Sequence, residues 1–344
     1  MDRVLFCILL KFVYNLVIER GIEMKPTIKT WILTELTDKQ KQQIPEIFDV
    51  IYQPTIENDV LQEMEVIVGR PPIGQLPYAK SLKWLQLDSA GSEQYCVEGL
   101  LPKDCLLTNA TGSFGLTISE YLICTILMLM RNMNLYIRNQ LTHTWQVEGP
   151  IYSIYGSTFL IVGTGNLGLE FAKRIKALGG TTIGIKKHVE EVPYFDEVHP
   201  MSDMEQLLPK ADVVVMALPS TASTKGCFHT EYFDLMKTNA IWANVGRGDV
   251  VQTMDVYHAV KNKHILGAIL DVCEVEPIPK EHPIWQEENI IITPHISGTF
   301  QLPKTKDIFV ELLINNMKAY DQNETLINMV DVKEGYRSYD LKKS

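Results

Sequence analysis

Residues Gly163-Thr164-Gly165-Asn166-Leu167-Gly168 constrain this chain more than any other stretch, because of what flanks them. Ahead of them, residues 157–162 read as a short, apolar, β-branched strand. Behind them, residues 169–178 read as a helix that stops at Gly179-Gly180. A lone GxGxxG carries little weight, but strand, glycine turn and helix in that order suit a dinucleotide pyrophosphate. The first glycine makes the tight turn and the second lets phosphates approach the backbone. The third lets helix and strand pack closely, with the helix N-terminus facing the negative charge. The competing reading is a strand–helix turn whose glycines serve packing alone.

The chain's 344 residues leave room for about two domains of common size. A net charge of -10 gives no reason to expect nucleic acid or an anionic membrane as partner, so a small molecule is expected. Six cysteines lie scattered without CxxC or Cys/His clusters. That argues for reduced thiols in the cytoplasm, and against a disulfide framework or a metal site. Residues 4–17 are strongly apolar, but Lys11 interrupts them and no small-residue cleavage site follows. A full membrane span needs about 20 apolar residues, so this run is too short, although a signal anchor stays open. The favoured expectation is that Met24 is the natural start and residues 1–23 are a non-native extension. Glu19-Arg20-Gly21 can be encoded by a purine-rich stretch like a ribosome-binding site.

From Met24 onward short strands alternate with helices, the signature of α/β architecture. Strands are predicted at 28–33, within 60–68, and at 82–87 and 106–109. One long helix is predicted over 117–137, with an apolar run at 121–130 bounded by Glu120 and Arg131. Such a short run suits a buried helix, not a span. Beyond the glycine turn, strands are predicted at 181–185, 213–217, 240–243, 265–270 and 290–292, then an amphipathic helix over 304–320. Periodicity leaves open where that last helix docks.

Three polar residues lie just beyond apolar strands, at the carboxyl ends where ligands bind in open α/β sheets. They are Arg247 in Asn244-Val245-Gly246-Arg247-Gly248-Asp249, Glu276 in Cys273-Glu274-Val275-Glu276-Pro277, and His295 in Thr293-Pro294-His295-Ile296-Ser297-Gly298. Singly, each has a structural reading: a surface salt bridge, a solvated loop charge, a capped loop histidine. Together they supply hydride transfer to a 2-keto acid. A substrate carboxylate needs a planar, two-pronged cation, which Arg provides and Lys does not. The keto oxygen gains charge as hydride arrives, and histidine, with a reference pKa of about 6.5, suits the proton transfer. A carboxylate bonded to the imidazole holds its orientation and favours the charged ring.

The order GTGNLG, NVGRGDVV, LDVCEVEP and TPHISG resembles the D-isomer-specific 2-hydroxyacid dehydrogenases, from about residue 66 to 336. That resemblance implies that Arg247 binds the substrate carboxylate and carbonyl, that His295 is the acid/base and that Glu276 is its partner. Asp271 would hold the nicotinamide carboxamide. Gly163, Gly165, Asn166, Leu167, Gly168, Leu218, Pro219, Thr224 and Val245 would cradle the cofactor. Gly69, Arg70, Ala90 and Gly91 would line the carboxylate pocket. The implied fold is a Rossmann nucleotide domain with a doubly wound parallel sheet, residues 112–298. It is inserted into a smaller flavodoxin-like α/β substrate domain, residues 24–111 and 299–336. The implied assembly is a homodimer, joined through the nucleotide domain and the helix over 117–137.

One departure bears on the cofactor. An Asp or Glu about 20 residues past the turn favours NAD by holding the ribose. Here the second predicted strand runs into Lys186-Lys187-His188, with no acid until Glu190. Those lysines would attract a 2′-phosphate, so NADP(H) is the expected preference and NAD(H) the alternative. Formate dehydrogenases share the fold, but they need a different polar partner for the histidine and an Asn pocket, neither found here. A corepressor-like NAD(P)H sensor would retain the same site residues, so it stays open beside the reductase. Cys273 is expected to be a packed thiol, and the remaining histidines to be surface or loop residues without metal-ligand spacing.

Overall fold

The computed structural model describes residues 27–333 and 335–337, so the expected extension at residues 1–23 lies outside the described residues. Two parallel sheets organise the chain. The first contains β1 (Ile28–Ile32), β2 (Phe48–Ile51), β3 (Val66–Val68), β4 (Trp84–Gln86) and β5 (Leu106–Thr108), in the order β2-β1-β3-β4-β5. Short helices α1 (Asp38–Lys41) and α2 (Asn58–Leu61) connect its first three strands. Thr37 caps α1 with a reciprocal bond to Gln40, satisfying backbone donors that the first turn would otherwise leave unpaired.

Next come α3 (Gly115–Met130) and α4 (Met133–Leu141). The single helix predicted over 117–137 is therefore two, bent by 69° at the break. Asn132 causes it: its backbone is left-handed (φ 56), and its amide donates to the carbonyls of Glu148 and Pro150, each at 3.1 Å. Asparagine tolerates that conformation, and hydrophobic periodicity cannot detect it. The apolar face of α3 (Ile118, Leu122, Ile126 and Leu129) is buried in the core between the sheets. Among the described residues no single helix is long and apolar enough to cross a membrane.

The second sheet contains β6 (Thr158–Val162), β7 (Thr181–Ile185), β8 (Glu197–His199), β9 (Val213–Met216), β10 (Ile241–Asn244), β11 (Gly267–Leu270) and β12 (Ile290–Ile292). Its order is β12-β11-β10-β9-β6-β7-β8, all parallel. This is a doubly wound sheet whose strand order reverses between β6 and β9. Helix α5 (Asn166–Ala177) follows β6. Helices α6 (Met204–Leu207), α7 (Thr230–Leu235) and α8 (Thr253–Lys261) serve the crossovers onward from β8. β9 (VVVM) and β10 (IWAN) are buried at every residue, as expected for strands covered on both faces. The short strands β2 and β8 were not anticipated. Both are sheet edges, where polar residues interrupt the apolar pattern.

Helix α9 (Pro303–Asp321) returns to the first sheet. Tyr320 stacks on Trp84 at 5.2 Å, Asn316 Nδ2 donates to Gln86 Oε1 at 2.9 Å, and Gln40 Nε2 donates to Asp307 Oδ1 at 3.0 Å. Its docking site, open from periodicity, is therefore on β4 and α1.

Candidate active site

A cavity of about 600 Å³ opens between the carboxyl ends of the two sheets. Arg70 reaches it from beyond β3, and Ala90, Gly91 and Glu93 from beyond β4. From the second sheet come residues 165–168 after β6, Leu218 and Pro219 after β9, Val245 and Arg247 after β10, Asp271 after β11, and His295 after β12. Strand ends far apart in sequence thus meet in one crevice, as open α/β sheets arrange them.

The glycine turn has the geometry its sequence implies. Gly163 has φ +109, and a Cβ there would stand 2.6 Å from the Ala217 carbonyl oxygen. A Cβ on Gly168 would stand 2.1 Å from the Gly163 carbonyl oxygen, so helix α5 can lie this close to β6 only with glycine there. Gly165 caps α5 without a side-chain hydrogen bond, while residues 165–168 line the cavity. The helix therefore presents unpaired N–H groups and the positive end of its dipole to the crevice, which fits a dinucleotide pyrophosphate. Thr224 braces this wall from behind, its Oγ1 donating to the Pro219 carbonyl at 2.6 Å. Lys186 and Lys187 are not among the lining residues. Lys186 is ion-paired to Glu190 and Lys187 is exposed. Gly69 (φ +116) likewise turns the chain behind the wall, donating its N–H to Gln86 at 2.8 Å.

His295 Nδ1 lies 2.9 Å from Glu276 Oε2, and the Cys273 N–H donates to Glu276 Oε1 at 3.0 Å. The carboxylate is thereby fixed at one oxygen and fixes the imidazole with the other. Nε2 has no hydrogen-bond partner among the described residues, while the ring borders the cavity. The His295 backbone is left-handed (φ 54), a conformation that needs support from its surroundings. Asp271 supplies that support. Its carboxylate accepts from Thr293 Oγ1 at 2.6 Å, from the Ile296 N–H at 2.9 Å and from the Ser297 N–H at 3.0 Å, with the Ser297 hydroxyl as a further donor. Tyr121 Oη meets Thr293 Oγ1 at 2.7 Å, and burial pushes its phenol pKa up. Asp271 is thus committed to holding the histidine loop, a role not visible from spacing.

Arg247 Nε donates to Glu93 Oε1 at 2.8 Å, and Nη1 donates to the Gly246 carbonyl at 2.9 Å. Arg247 and His295 therefore both border the crevice, with Glu276 held against the imidazole. Glu93 was not singled out from sequence, although the loop carrying it was an expected part of the pocket. The signal available was its place two residues after Ala90-Gly91. Cys273 is buried, and burial pushes its thiol up to about 11, as a packed thiol requires. Among the described residues no His/Cys/Asp/Glu group has the arrangement of a metal site.

The sequence model for the NAD binding domain of D-isomer specific 2-hydroxyacid dehydrogenases matches residues 123–297, about half of the chain. This chain belongs to that family. A Corynebacterium melassecola protein from the proB 3′ region is 30% identical over 271 residues, covering 77% of this chain and 87% of its own length. Glyoxylate/hydroxypyruvate reductase A of Photorhabdus laumondii is 26% identical over 276 residues, 78% of this chain and 87% of that one. The solved structure of a family protein from Aeromonas salmonicida superposes with a TM-score of 0.80 at 28% identity. It covers 90% of this chain and 100% of the other. The D-isomer specific 2-hydroxyacid dehydrogenase family comprises oxidoreductases that act on CH–OH donors with a nicotinamide cofactor, and the doubly wound sheet described above is its nucleotide-binding fold.

Proposed function

We propose that this protein reduces a small 2-keto acid to the D-2-hydroxy acid, with NADPH as the preferred donor. The observation that carries this reading is the His295–Glu276 contact at 2.9 Å, on the same cavity as Arg247. A bound nicotinamide would supply the hydride. The N-terminus of α5, with Leu218, Pro219 and Val245, would hold the dinucleotide along the crevice. Arg247 anchors the substrate carboxylate through its remaining N–H groups and draws the carbonyl toward His295. His295 donates a proton from Nε2 to the keto oxygen as it becomes an alkoxide, while Glu276 orients the ring and stabilises its charged form until the proton leaves. Phe114 and Phe300, with ring centroids 5.5 Å apart, give the cavity an apolar wall.

Lys186 would exchange Glu190 for the 2′-phosphate of NADPH, with Lys187 beside it. Residues 24–111 with 299–336 form the substrate domain of this reading, and residues 112–298 the nucleotide domain. A homodimer forms through exposed Met133, Ile137 and Leu141 on α4, with Val147 and Ile151 beyond it. The deciding experiment measures NADPH and NADH consumption with glyoxylate, hydroxypyruvate and branched 2-keto acids. Turnover favouring NADPH is expected, and Lys186→Asp should shift the preference toward NADH. Cofactor binding without turnover on any of them would instead point to a redox sensor.

A further inference from the structure

Both arginines that reach the cavity are already matched by carboxylates of this chain. Arg247 Nε donates to Glu93 Oε1 at 2.8 Å, and Arg70 Nε donates to Asp88 Oδ1 at 2.9 Å. Asp88 is fixed from its other side by Thr34 Oγ1 at 3.0 Å, and its side chain is only 10% exposed. The charged side chains lining the cavity are Arg70, Arg247 and His295 against Asp88, Glu93 and Asp271. Even with His295 protonated these balance, and Glu276 behind the imidazole adds one further negative charge. A substrate carboxylate on Arg247 therefore takes an already anionic region one unit further negative.

Resting on the reductase reading above, we infer that the cleft selects monoanionic 2-keto acids, and that Glu93 is the specificity-determining residue. Glu93 shares the Arg247 guanidinium with the incoming carboxylate. A phosphate or second carboxylate on the neighbouring carbon would face Glu93 itself, and the other cation on the cavity, Arg70, already shares its Nε with Asp88. A neutral side chain avoids that repulsion, and a hydroxyl can donate to Glu93. The Glu93 carboxylate lies beside the guanidinium on the cavity wall, since a Cβ on Gly91 would meet both Arg247 Nη2 and Glu93 Oε2, the latter at 3.0 Å. Like charge placed against an excluded ligand is a common device for discrimination.

The test compares kcat/KM for glyoxylate and hydroxypyruvate with that for 3-phosphohydroxypyruvate and oxaloacetate, at fixed NADPH and ionic strength. The monoanions are expected to be favoured by roughly tenfold or more. Glu93→Gln keeps an oxygen acceptor for Arg247 Nε but removes the charge, and should raise the dianion-to-monoanion ratio by about tenfold. Equal use of dianions by the wild-type protein overturns the inference while leaving the reductase reading intact. So does an unmoved ratio in folded Glu93→Gln. If the variant does not fold, the wild-type ratio decides alone. No turnover with any keto acid overturns the reductase reading and this inference together.

Discussion

Replacing Gly91 by alanine should separate substrate positioning from folding. The new methyl carbon would stand 2.4 Å from Arg247 Nη2 and 3.3 Å from Cζ. Ordinary contact begins at 3.4 Å, so the guanidinium must retreat by about 1 Å (3.4 − 2.4). It cannot swing aside freely, because Glu93 holds Nε at 2.8 Å and Gly246 holds Nη1 at 2.9 Å. A shift of that size stretches either bond beyond hydrogen-bonding distance. Misplacing a positioning group by about 1 Å can cost on the order of 100-fold in rate, or about 2.7 kcal/mol of transition-state stabilisation. The displaced atom is the tip of a half-buried side chain, so the fold should lose less than about 0.5 kcal/mol. Steady-state kinetics should show kcat/KM falling about 100-fold. Tm and NADPH affinity, followed by cofactor fluorescence, should stay at wild-type values. A variant within threefold of wild type would refute the reasoning, as would one that loses cofactor binding in parallel.

Gly168→Ala meets backbone instead of a side-chain tip, 2.1 Å from the Gly163 carbonyl oxygen. It should destabilise by about 2 kcal/mol in urea unfolding and weaken NADPH binding, and an unchanged midpoint would count against the close packing of α5 on β6. His295→Gln should lower kcat by roughly 10²- to 10⁴-fold with cofactor affinity retained; a smaller loss would remove the ring from the proton transfer. His199 is hydrogen-bonded to Glu197 and Asp203, which together outweigh partial burial and raise its pKa above the ordinary histidine value. A raised folded-state pKa gives stability that is fully present below the unfolded value of about 6.5 and is lost as pH rises through the folded one. His199→Ala should therefore cost roughly 0.5–1 kcal/mol near pH 6 and little near pH 9, and equal costs at both would sink the assignment.

The α/β alternation and the second sheet were legible because buried parallel strands carry long apolar runs. β7 and β12 match their predicted limits, and α9 is within a residue at each end. The break at Asn132 was not legible, since it depends on carbonyls 16 and 18 residues away accepting from one amide. Arg247, Glu276 and His295 could be picked out because each follows an apolar strand, where an unexplained polar residue stands out. Glu93 could not, because its meaning comes from Arg247, 154 residues distant. The commitment of Asp271 to Thr293, Ile296 and Ser297 is likewise a product of loop conformation, which no spacing encodes.

The return of α9 to β4 has a consequence for how the polypeptide is made. The Asn316–Gln86 bond joins residues 230 apart, and the Trp84 ring is covered by Tyr320. A ribosome therefore releases the N-terminal strands long before the helix that shields them exists, leaving tryptophan-bearing apolar surface uncovered during most of synthesis. Truncation before residue 303 should harm the half of the molecule made first while sparing the half made later. Solubility at low expression temperature should accordingly depend more on the last helix than on the glycine turn that dominates the sequence.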